Sequence, residues 1–225
     1  MIQLAPLECR VLGTLVEKAQ TTPNLYPLTL NALTAGCNQK NNRDPVLEVS
    51  EEEVLDVIDS LKAKGLAREA IMSGSRVNKF KHVMRDALSI NLVEMAVLTE
   101  LLLRGPQSAG ELKTRCERLV PSGTTPGVGS PEAVLEVLAG LMQRDEPMVR
   151  RLERRPGERS ERYVQLLCPN LHRLDGPVAV HATDHPRAGQ PTHADAAAMA
   201  DVLDQLRRLT ERLDFLEQRV KTLEI

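Results

Sequence analysis

A mainly α fold with small β-hairpin wings, built from one module used twice, is what this 225-residue sequence predicts. Three observations predict it. The run from Glu8 to Leu15 is echoed by Glu94 to Leu101, the run from Val54 to Leu61 by Val134 to Leu141, and Lys79-Phe80 by Arg162-Tyr163. The echoes keep their order at offsets of 86, 80 and 83 positions, so the drift falls between them. A period of this kind points to a duplicated structural unit, and units of this size bury too little surface to be more than marginally stable alone.

The first module begins with Pro6 at an early helical position, and Leu7, Val11, Leu12 and Leu15 then follow at helical spacing. This helix stops near Gln20, before Thr21-Thr22-Pro23. A second helix starts after Pro27, carries Leu28, Leu30 and Leu33, and ends by Gly36. Ser50 and Glu53 form a capping box that opens a third, with Val54, Val57, Ile58 and Leu61 as its buried stripe and Gly65 as its stop. Two strands follow, near 66–72 and 77–83, joined by Ser73-Gly74-Ser75.

The second module repeats the plan. Its first helix spans about 91–104, its second opens on the capping box of Ser108 and Glu111, and its third opens on Ser130 followed by Pro131. Its hairpin turns at Arg155-Pro156-Gly157. Three helices and a hairpin at this length make a winged helix-turn-helix. The expected organisation is two tandem winged-helix domains at 1–86 and 87–168, a flexible linker at 169–195, and a coiled-coil helix at 196–225.

That last helix carries an unbroken heptad stripe, with Met199, Leu206, Leu213 and Val220 at a and Val202, Leu209, Leu216 and Leu223 at d. Arg212 and Arg219 at g would face Glu217 and Glu224 at e of a parallel partner, so the charges favour a parallel homodimer. Folding back on its own domains is the alternative. The linker is rich in Pro, Gly and His, and His181, His185 and His193 read as linker residues beside the alternative of a metal tract.

Composition excludes some functions. The formal charge of −2 gives no global pull toward nucleic acid, and only four aromatic residues (Tyr26, Phe80, Tyr163, Phe215) are present for stacking single strands. No apolar run suggests a membrane span or a leader, so a cytoplasmic protein without membrane partners is expected. Cys9, Cys37, Cys116 and Cys168 lack metal-ligand spacing and read as reduced structural thiols. His82 has no evident carboxylate mate, no activated nucleophile stands out, and no cofactor is called for, so a non-enzymatic protein is expected.

The stretch Val16-Glu17-Lys18, Thr21-Thr22-Pro23, Tyr26-Pro27-Leu28 and Cys37-Asn38-Gln39-Lys40, then Asn42-Arg43-Asp44-Pro45-Val46, resembles the YceH-like family of bacterial proteins of unknown function. Leu101 to Gln107, Gly110-Glu111-Leu112 and Pro156 to Arg159 agree with it. The resemblance spans about 4–168 plus the heptad helix, implies tandem winged helices, and carries over no catalytic residue.

Two interaction surfaces compete. A winged helix commonly lays its third helix in the major groove, where Arg, Lys, Asn and Gln read bases. Here the first such helix carries Glu51, Glu52, Glu53, Asp56 and Asp59, and no Lys or Arg lies between Arg118 and Arg144. Cations gather instead on the hairpins: Arg76, Lys79, Lys81 and Arg85 on the first, and Arg150, Arg151, Arg154, Arg155, Arg159 and Arg162 on the second. These suit the backbone or minor groove of double-stranded DNA, or else defend strand edges by charge. A dimeric DNA-associated regulator gripping backbone through its wings is one expectation. A scaffold docking a protein partner through acidic third helices and the Asn-rich loop is the other. In that loop, Asn38, Gln39, Lys40, Asn42 and Arg43 read either as turn structure or as a recognition surface.

Overall fold

The computed structural model describes residues 2–70, 77–120, 124, 127–154 and 160–172. Helix α1 (Pro6–Thr21) leads to a 3-10 turn at Pro23–Leu25 and strand β1 (Leu28–Thr29). Helices α2 (Leu30–Cys37) and α3 (Glu51–Ala63) follow, then strands β2 (Ala67–Ala70) and β3 (Lys79–His82). A short α4 (Met84–Ala87) joins this half to α5 (Leu92–Arg104), α6 (Ala109–Cys116), α7 (Pro131–Met142), β4 (Val149–Leu152) and β5 (Arg162–Gln165). The described part is thus mainly helical with small antiparallel sheets. All of it belongs to one compact unit, Met1–Asp175, and the expected boundary at 86/87 falls inside that unit. The turns of both hairpins, most of the expected linker and the heptad helix lie outside the described residues.

The capping chemistry expected from sequence forms. Ser50, Ser108 and Ser130 each accept a bond from the amide three residues on, and Glu53 and Glu111 reach back to Ser50 and Ser108. Asn91 caps α5 in the same way with Glu94. Gly65 ends the α3 region at φ +71, where a side chain would be strained.

Each half also holds a strand pairing that the sequence did not announce. Chain 28–29 pairs with β3 before α2 begins, giving sheet order β1-β3-β2 with Leu28 opposite Phe80. In the second half, Gln107 takes the corresponding place opposite Tyr163: the Gln107 amide donates to the Tyr163 carbonyl at 3.1 Å, and the Gln107 carbonyl accepts the Tyr163 amide at 2.8 Å. Both hairpins are antiparallel, with Arg68 opposite Lys81 and Arg151 opposite Tyr163.

The two halves share a core. Every residue of α1 from Glu8 to Glu17 is buried, and α5 is buried from Met95 to Leu103. The two helices cross closely at Gly13, where a Cβ would lie 2.8 Å from Leu103 Cδ2. Around this crossing the apolar faces of α2, α3, α6 and α7 close in. The Leu4 amide bonds the Leu167 carbonyl at 2.8 Å, pinning the start of the chain to the end of the second hairpin.

Replacing Gly13 by alanine should lower the unfolding free energy by about 1–3 kcal/mol, as overpacking does, measured by urea denaturation. The strain falls on Leu103. The loss in a double variant with Leu103→Ala should therefore be smaller than the sum of the two single losses, and strict additivity would refute the close crossing.

Candidate functional site

A helix buried on all sides cannot leave its charges unpaired. In α1, Glu8 accepts the Ala5 amide at 2.6 Å and the Ser60 hydroxyl at 2.7 Å, and it pairs with Lys64. Glu17, at the other end, meets Arg43 of the Asn-rich loop: Nη2 lies 2.6 Å from Oε2 and Nη1 lies 3.2 Å from Oε1. Burial alone would push the Glu17 carboxyl up, but the hydrogen bonds and charge of Arg43, then the charges of Lys18 and Arg118, outweigh it and hold the group below its ordinary value.

Arg43 is 3% exposed. Besides Glu17 it donates to the carbonyls of Gly36 and Asn42 and to Gln39 Oε1. Asn38 closes the loop like a strand pair, donating to the Val49 carbonyl and accepting its amide, both at 2.8 Å. Arg10 crosses underneath, donating to the Cys37 carbonyl at 2.9 Å and to that of Pro45. The Asp44 amide reaches the Leu103 carbonyl at 2.8 Å, which ties the loop to α5. Three of the five loop candidates, Asn38, Gln39 and Arg43, therefore hold internal bonds. Lys40 and Asn42 are exposed, Asn42 at φ 63.

A second buried carboxylate, Glu100 on α5, sits 2.8 Å from Arg104 Nε and 3.4 Å from Arg118. Burial pulls the Arg104 guanidinium down to about 10, even beside Glu100. His82 donates its amide to the Tyr26 hydroxyl at 2.7 Å, and burial pulls its imidazole down to about 4, so the ring is neutral at pH 7. Cys9, Cys37, Cys116 and Cys168 are buried free thiols, and burial raises the first three. Among the described residues, no cluster of three or more His, Cys, Asp or Glu side chains is placed to hold a metal ion.

The hairpin cations divide. Arg162 is held by the Pro106 carbonyl and lies 3.5 Å from Glu111, while Arg151 lies 3.2 Å from Glu161 across the hairpin. Arg68, Lys81, Arg150 and Arg154 are exposed and make no ion pair among the described residues. Arg68 and Lys81 stand directly opposite each other, and like charges in that arrangement weaken a sheet. Arg150 holds the same place in β4 that Arg68 holds in β2, with the same sequence of burial along the strand. Arg76, Arg155 and Arg159 lie outside the described residues, as do the heptad positions Met199 to Leu223.

The third helices present the opposite charge. The exposed face of α3 carries Glu51, Glu52, Leu55, Asp56 and Asp59, and that of α7 carries Glu132, Leu135 and Glu136. Lys62, the cation nearest this face of α3, bonds Asp59 at 2.9 Å.

These features define a mainly helical protein with small antiparallel sheets, a rigidly braced loop, and outward surfaces of opposite sign. A family model described as "Protein of unknown function, DUF480" matches residues 4–158. A UPF0502 protein of Geobacter metallireducens is 50% identical over 161 residues, covering 72% of this chain and 70% of that protein. One from Geobacter sulfurreducens is 42% identical over 224 residues, covering 99% and 90%. One from Burkholderia ambifaria is 44% identical over 215 residues, covering 94% and 88%. The chain belongs to this bacterial family, in agreement with the YceH-like resemblance of its Asn-rich loop. No helix among the described residues is long and apolar enough to cross a membrane.

Arg43→Met should cost about 3–5 kcal/mol at neutral pH, because it strands a buried carboxylate. The sign with pH is fixed. The wild-type Glu17 is depressed, so its stabilisation is complete above its ordinary value of 4.5 and is lost as pH falls below it. In the variant, burial is less opposed and protonation relieves it. Urea midpoints of the two proteins should therefore converge on acidification, and a gap that widens would contradict the pairing.

Proposed function

We propose that each half is a winged helix-turn-helix module and that the protein associates with duplex DNA by its hairpins rather than by its third helices. The observation that carries this reading is the pair Arg68 and Lys81, cations with no ion pair among the described residues, set directly opposite each other at a cost to the sheet, with Arg150 repeating the Arg68 position in the second half. Outward cations on hairpins suit phosphate backbones and minor grooves. No acid–base or nucleophilic group is needed for such binding, so the reading is of a non-enzymatic protein, working in the cytoplasm where DNA is found.

A second reading, a protein-interaction scaffold, is favoured by the acidic exposed faces of α3 and α7, which a phosphate wall would repel. The two readings use different surfaces and are compatible. The heptad stripe from Met199 to Leu223 supports a parallel homodimer, which would present both surfaces twice.

Anisotropy of a short labelled duplex tests the first reading. With about four phosphates contacted, log affinity should fall against log salt with a slope of roughly −3.6, and Arg68→Glu with Arg150→Glu should bring it to roughly −1.8. A flat response, or no binding at low salt, would remove duplex DNA as a partner. Sedimentation of the full chain beside a chain ending at residue 195 tests the dimer. The full chain should run as a dimer and the shorter one as a monomer, whereas two monomers would exclude it.

A further inference from the structure

The third helices of the two halves carry one outward pattern. Glu52, Leu55 and Asp56 of α3 recur 80 positions later as Glu132, Leu135 and Glu136 of α7, and all six are exposed. Five large apolar residues are exposed among the described ones, and two of them are this pair, at 39% for Leu55 and 41% for Leu135. Neither leucine serves the core. That role belongs to the neighbouring stripe of Val54, Ile58 and Leu61 in α3, and of Val134, Leu138 and Leu141 in α7. Both helices are fixed at their start by a serine cap, so each leucine is presented on a rigid element.

We propose that each of these faces docks a basic protein segment with an apolar anchor, the leucine taking the anchor and the carboxylates meeting its Lys or Arg side chains. The inference rests on the scaffold reading and names its partner class. Charge chooses the occupant. Phosphate would meet an excess of carboxylates on this face, since Lys62 is already bonded to Asp59. A second copy of the chain, docked face to face, would set Glu52 and Asp56 against their own equivalents, since a two-fold contact joins a patch to itself. A cationic segment alone matches both the charge and the exposed leucine. Because the face occurs once in each half, one chain takes two such segments.

The experiment uses the full chain and three labelled helical peptides at physiological salt: one of leucine and lysine with leucine along one side, one of lysine and serine with equal charge, and one of leucine and glutamate. The leucine–lysine peptide should bind about tenfold more tightly than the lysine–serine peptide and saturate at two per chain. Leu55→Ser and Leu135→Ser should each remove one site, and the double variant should fall to the lysine–serine level. Both positions lie outside the buried stripes, so each variant should stay folded, with its melting temperature lowered by no more than a few degrees. Binding of the leucine–glutamate peptide instead, with the same dependence on the two leucines, would overturn the partner class and leave the scaffold reading standing. If no peptide exceeds the lysine–serine control, or the double variant binds as wild type, both fall.

Discussion

Helix α1 has no free side, and the rest of the structure follows from that. A helix enclosed all round is costly unless its charges find partners. This one combines an apolar middle with charged ends that do find them, although Arg10 Nε is left without one. Its middle passes so close to α5 that Gly13 has no room for a Cβ beside Leu103, and its ends carry Glu8, Arg10 and Glu17 into the interior. Each of those charges then recruits chain from elsewhere. Glu8 draws in Ser60 and Lys64 from the α3 region, Arg10 takes carbonyls at both ends of the Asn-rich loop, and Glu17 takes Arg43. The helix acts as a spine whose charged ends fix the positions of the parts around it.

The Asn-rich loop shows what this means energetically. A connection of this length without secondary structure gains no ladder of backbone bonds, so its polar groups must find partners singly. Arg43 and Arg10 supply most of them, and both guanidiniums are buried to do so. Desolvation disfavours such groups by several kcal/mol each, which the multiple bonds offset only if all are made together. The arrangement is therefore all-or-none, and it makes a rigid loop out of a sequence that looks mobile. It also decides what the loop can touch. Lys40 and Asn42 remain at the surface, while the groups best suited to grip a phosphate are already engaged inside.

What the sequence showed and what it hid divide along the same physical line. Interactions that close within a turn were legible: the Ser50–Glu53 and Ser108–Glu111 boxes, the Ser130 cap and the Gly65 stop all form as read. The order of helices and hairpins in both halves was legible from their echo. The polar residues of α1 were not, because a glutamate between leucines reads as surface until a partner dozens of residues away is known. Arg43 was noticed as a cation but not as the mate of Glu17, 26 positions earlier. Strand β1 is two residues long and helix α4 four, too short for any period to show, and Gln107 joins its sheet by a single bridge. Leu55 stood outside the expected stripe of Val54, Val57, Ile58 and Leu61, so its exposure was readable from spacing, but its equivalence with Leu135 showed only once both helices were placed.

A duplicated chain offers its own internal comparison, and that comparison separates two reasons for a residue to recur. Val54 and Val134, or Ile58 and Leu138, recur because both helices must bury a stripe, and packing alone explains them. Packing explains nothing about an exposed side chain. When Arg68 recurs as Arg150, or Leu55 with Asp56 recurs as Leu135 with Glu136, a buried stripe does not account for it, and the recurrence follows from shared descent of the two halves or from the ligands proposed above. Lys81 corresponds to Val164 in the same comparison, so hairpin charge as a whole does not recur. The outward residues that survive in both halves fall into two sets of opposite sign on different elements, one on the hairpins and one on the third helices. If both proposed surfaces bind, their opposite sign assigns them different ligands, an anionic one to the hairpins and a cationic one to the third helices.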